Sequence, residues 1–207
     1  MSFINVSSGL KKMYIAELLT IISGLSIFFS DGKMIAIGIT LAFLGLVAFF
    51  VTLSGLKQCA LNEPAYKKPF RFTIAGILVC VAVAVLGEIL NNPVLSDSTN
   101  EIQGVVNYLI VYMVLQITAE ILQKCGKESE AAYAKKLRHL YTFAFILSEI
   151  LSITSDRLEG EVAVAIILAV AAVSIVTLLI AQIRYIIFLK KSSNALAAVQ
   201  GASEQSN

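Results

Sequence analysis

Six apolar runs, several approaching or reaching the ~20 residues needed to cross the hydrocarbon of a bilayer, dominate this sequence. They extend from about Met13 to Ser30, Met34 to Leu53, Phe72 to Leu90, Val105 to Leu122, Leu140 to Thr154 and Val162 to Leu189. A soluble helical protein would have to bury all of them in one core. With 57% hydrophobic and 14% charged residues, the chain has too little polar surface to cover such a core. A mean hydropathy of +0.83 points the same way. The expected fold class is therefore all-α: an integral membrane bundle of six transmembrane helices. Pro64, Pro69 and Pro93 all fall between the runs, so unbroken helices are expected rather than the interrupted ones of many transporters.

The connections alternate in charge. Lys57, Lys67, Lys68 and Arg71 against Glu63 make the stretch from Lys57 to Arg71 net +3. Asn91 to Gly104, with Asp97 and Glu101, is −2; Lys124 to Arg138 returns to +3 and Ser155 to Glu161 to −2. Basic loops stay on the cytoplasmic side of a membrane, so both termini are expected in the cytoplasm. Residues 1–12 then form a cytoplasmic N-terminal segment, 13–191 the membrane domain, and 192–207 a small, polar, disordered tail. Lys11 and Lys12 before an apolar stretch also resemble a signal peptide, but Glu17 interrupts that stretch and Phe28-Phe29-Ser30 is a poor cleavage site. Met13 to Ser30 is read as a retained span. The expected location is the cell (plasma or inner) membrane.

The charge sorting accounts for the overall net of +2 without a nucleic-acid partner, because anionic lipid headgroups suffice. Three cysteines without a CxxC, and His139 as the single histidine, argue against metal and redox centres. No cofactor is expected. Intramembrane proteolysis by a metal needs a histidine pair, and no GxSxG or phosphate-binding loop occurs. An enzyme is accordingly not expected.

Ionisable residues inside spans cost about 2.5–3.5 kcal/mol each on insertion scales, which makes them default functional candidates. Glu17, Glu120 and Arg184 lie near the basic end of their spans, Glu88 and Glu149 near the acidic end. Tyr108, Tyr112, Gln116 and Glu120 recur at i, i+4, a polar stripe on an apolar helix. Thr142, Glu149 and Ser152 share a face of the fifth run, Ser174, Thr177, Ala181 and Arg184 one of the sixth, and Glu17, Thr20 and Gly24 one of the first. These faces predict a polar cavity formed by Tyr112, Gln116, Glu120, Glu149, Arg184 and Glu17. Arg184 would pair with Glu17 or Glu120, or hold an anionic group of a ligand.

The second run carries Gly38, Ala42 and Gly45 at small-xxx-small spacing, a face for close helix packing within the subunit or in a homo-oligomer. An internal echo links Leu56-Lys57-Gln58-Cys59 and Tyr66 with Leu122-Gln123-Lys124-Cys125 and Tyr133. It suggests a parallel repeat of spans 2–3 and 4–5. Two functions fit these features. One is a small solute or ion transporter, or the membrane-embedded substrate-binding subunit of one. The other is a non-catalytic membrane partner in assembly, sensing or regulation.

Overall fold

The computed structural model describes residues 3–25, 35–155 and 161–205. Among these, every regular element is helical: α1 (Ile4–Gly24), α2 (Ile35–Asn62), α3 (Lys67–Ile89), α4 (Pro93–Lys124), α5 (Glu128–Ser155) and α6 (Glu161–Gln205), with a 3-10 turn at Pro64–Tyr66. Four stretches are long and apolar enough to cross a bilayer: Ile37–Asn62, Pro64–Ile89, Ser98–Lys124 and Ile167–Ala202. Helices α1 and α5 carry more charge, and each begins well before the apolar run it contains.

Local chemistry sets the ends. Glu63 is extended, and its side chain accepts a hydrogen bond from the Ala65 N–H, with Pro64 opening the 3-10 turn. At the far end of α3, Asn91 adopts φ 47° and the Asn92 N–H returns to the Gly87 carbonyl at 2.9 Å. The Asn92 side chain then caps α4 by accepting from the Val94 N–H at 3.1 Å. Gly126, at φ 71°, ends α4 in the same way: the Lys127 N–H reaches the Leu122 carbonyl at 2.8 Å.

Each helix packs on its neighbour in sequence, and α6 closes back onto α1, so the six form a ring. The tightest seam is α1–α2, where Gly9 faces Gly55. A Cβ added at Gly55 would stand 2.8 Å from the Gly9 carbonyl oxygen. The sparsest seam is α2–α3.

Packing is polarised along the ring. Fully buried side chains gather at the end that carries the basic connections: Val6, Leu10, Leu56, Cys59, Tyr66, Leu122, Tyr185, Phe188 and Leu196. Tyr66 reaches across to α4, its hydroxyl 2.6 Å from the Thr118 Oγ1, both groups buried. Toward the acidic end the exposed surface is apolar instead: Ile39 is 66% exposed, Phe43 62% and Leu168 64%. A continuous surface of that kind matches lipid rather than water.

One expectation needs correction. The tail from Ser192 is helical through Gln205 as a continuation of α6. It is ordered because α1 receives it. Ser7 Oγ donates to the Ser193 carbonyl at 2.9 Å, Ser193 Oγ donates back to the Ser7 carbonyl at 2.8 Å, and Leu196 is buried. Residues 4–12 form the first turns of α1, with Val6 and Leu10 in the core. The two copies of the internal echo occupy different surroundings. Tyr66 is fully buried and Tyr133 half-buried; Cys59 is buried and Cys125 half-buried.

Of the small-residue face on α2, Gly45 packs within the subunit: a Cβ there would meet Ser23 Oγ of α1 at 2.6 Å. Gly38 is half-buried, and the Ala42 side chain lies outside the described residues.

Candidate functional site

Above the packed end, the ring encloses a cavity of about 830 Å³. Every helix contributes to its wall: Glu17 and Thr20 from α1, Phe49 and Thr52 from α2, Thr73 and Cys80 from α3, Asn107 and Tyr108 from α4, Tyr141 and Glu149 from α5, Gln182 and Tyr185 from α6. The volume lies in the range of ordinary small-molecule sites.

The floor is a hydrogen-bonded chain across three helices. The Tyr141 hydroxyl donates to Gln182 Oε1, and Gln182 Nε2 donates to Glu17 Oε2 at 2.6 Å. One amide thereby satisfies a phenol and a carboxylate at once, using both of its functions. Tyr185, fully buried on the next position of the α6 inner face, packs its ring edge-on to Tyr141 at 5.8 Å. Below this layer lie the buried residues of the basic end, among them Leu10, Leu56 and Phe188. The cavity opens where its lining residues are exposed: at Gln103, Gly104 and Asn107 on α4, a mouth toward the acidic connection, and at Thr20 and Ile21 on α1. Glu149 stands on α5 two turns beyond Tyr141, a rise of ~12 Å, and is half-buried in the wall.

The predicted site residues divide. Glu17 and Glu149 line the cavity; Tyr112, Gln116, Glu120 and Arg184 do not. Gln116 and Glu120 are exposed and bonded to each other, Nε2 to Oε1 at 3.2 Å. The expected partnership of Arg184 with Glu17 gives way to Gln182, which sits two residues earlier on α6. Arg184 itself is exposed.

The reason is helix geometry. An i, i+4 series advances 400° per step, so it winds ~40° around the helix each time and ~120° from Tyr108 to Glu120. Tyr108 therefore stacks on Phe145 at 4.3 Å and bonds Thr142 at 3.0 Å inside the wall. Tyr112 lies at its edge, under the Arg138 guanidinium at 5.1 Å, in a separate groove with His139. By Glu120 the stripe has left the interior, and Val114, Thr118 and Leu122 fill the inner face instead.

Sequence reasoning missed Gln182 and Tyr141. A usable signal existed: Gln182 is an amide inside an apolar run, at a depth comparable with Glu17. The i+3/i+4 face chosen for α6, from Ser174 to Arg184, passed beside it. Ser174 is buried and Thr177 bonds its own helix at Val173, 2.7 Å away. Among the described residues no group of three or more His, Cys, Asp or Glu side chains is placed to hold a metal ion.

Compared with known proteins, the chain matches no family model, no curated protein and no solved structure. The functional reading rests on the geometry alone.

Proposed function

We propose that the protein is a membrane-embedded carrier for a small solute or ion, or the binding subunit of one. A single observation supports this most: a cavity of ligand size whose wall is drawn from all six helices. A scaffold subunit needs close packing between its helices. Here full burial of large side chains is concentrated at the basic end, and the rest of the ring leaves room while keeping two carboxylates and three amides in the wall. Such groups in a low-dielectric wall are expensive unless something uses them.

In this reading all six helices cross the membrane, with α1 and α5 completing the ring. The basic connections and both termini face the cytoplasm. The packed end is then an inner seal and the cavity mouth faces outward, which is one half of an alternating-access cycle.

Purification at native expression level tests the proposal. A small molecule that travels with the wild type and with Glu120→Gln, but is lost from Glu149→Gln, supports it. A stable stoichiometric protein partner with no such small molecule contradicts it and favours an assembly or regulatory subunit.

A further inference from the structure

The charge of the cavity wall is one-sided. Among the described residues, Glu17 and Glu149 are the charge-bearing side chains that line it, and none of the lining ones is a lysine, arginine or histidine. The basic residues nearby in sequence face elsewhere: Lys12 Nζ bonds Ser54 Oγ at 3.1 Å on the outside of α1–α2, Lys190 sits over the Tyr14 ring at 5.7 Å, and Arg138 over Tyr112. A recess with low-dielectric walls and charge of one sign concentrates ligands of the opposite sign. The Glu17 carboxylate is positioned but not saturated by Gln182, since a carboxylate offers about four acceptor sites and the amide takes one.

The remainder of the wall is mainly aromatic and aliphatic, interspersed with uncharged polar side chains such as Thr20, Thr73, Asn107 and Ser148. Phe49, Tyr108, Tyr141 and Phe145 are among the rings that line the cavity. Aromatic faces attract cations, and do so best where water is excluded. A bare metal ion would use neither the volume nor these rings. From these features we infer that the cavity binds an organic cation: a protonated amine or quaternary centre carrying an apolar body. This deepens the carrier reading and rests on it. The cationic centre sits at Glu17 on the floor, Glu149 attracts the ligand at the level of the mouth, and the apolar body lies against the rings.

Two ions of matched shape and opposite charge test the inference. Purified full-length protein is titrated with tetraphenylphosphonium and, separately, with tetraphenylborate, and binding is read by equilibrium dialysis. The expected result is saturable binding of the phosphonium, weakened ~10- to 100-fold in Glu17→Gln and in Glu149→Gln and unchanged in Glu120→Gln. The borate should not compete. Should Glu17→Gln fail to fold, Glu149→Gln and the wild-type comparison of the two ions still decide.

Borate binding as tight as phosphonium binding overturns the inference, as does phosphonium binding that neither cavity glutamate affects. Failure of the phosphonium to bind while a cysteine placed at Asn107 reacts with a water-soluble thiol reagent overturns the ligand class alone. Failure to bind together with an unreactive Asn107→Cys overturns the carrier reading as well.

Discussion

Gln182 holds the floor of the cavity together. Its amide is the shared partner of Glu17 and Tyr141, so removing it strands two buried polar groups. We expect Gln182→Leu to lower stability by about 1–3 kcal/mol, the cost of leaving such groups unsatisfied, measured by thermal unfolding in detergent. Glu120→Gln should stay within ~0.5 kcal/mol of wild type, as exposed substitutions do. Tyr66→Phe removes the bond to Thr118 at the packed end and should cost about 0.5–1.5 kcal/mol. Combined with Thr118→Val the loss should be less than additive, because both changes remove one interaction. At this scale the sequence was half legible. Carboxylates in apolar runs are conspicuous, and both that line the cavity, Glu17 and Glu149, stand out for that reason. What decides whether a polar residue points inward is its angle on the helix, and the ~40° drift of an i, i+4 series carries Gln116 and Glu120 out of the interior.

The α1–α2 crossing depends on Gly9 and Gly55, because either Cβ would meet the opposing backbone: 2.6 Å from the Gly55 oxygen in one case and 2.8 Å from the Gly9 oxygen in the other. Gly55→Leu should cost 1–3 kcal/mol or more from overpacking and lower the unfolding temperature accordingly. Removal of residues 192–207 should also destabilise the protein, by at least ~2 kcal/mol for the lost burial of Leu196 and its neighbours. A disordered tail would leave the unfolding temperature unchanged. The helical bundle was legible from the apolar runs. The ordered tail was not, because its helix is stabilised by contacts with α1 nearly 190 positions away in the chain. Local composition, rich in Ser, Asn and Ala, carries no trace of that surface.

The whole molecule is a ring with two unlike ends. One is packed like the interior of a soluble protein; the other opens around a cavity with an acidic wall. The same sequence asymmetry that sorts basic from acidic connections also separates these ends, which ties the seal to the side that basic loops occupy. The direct measurement is thiol accessibility in vesicles of either orientation. Single cysteines are introduced at Asn107, Ser148 and Val114 after Cys59, Cys80 and Cys125 have been replaced by alanine, and are challenged with a membrane-impermeant reagent. Asn107→Cys and Ser148→Cys should react from the side of the acidic connections only, and Val114→Cys from neither side. An unreactive Asn107→Cys, or reaction from the basic side, would contradict an outward cavity sealed at its cytoplasmic end.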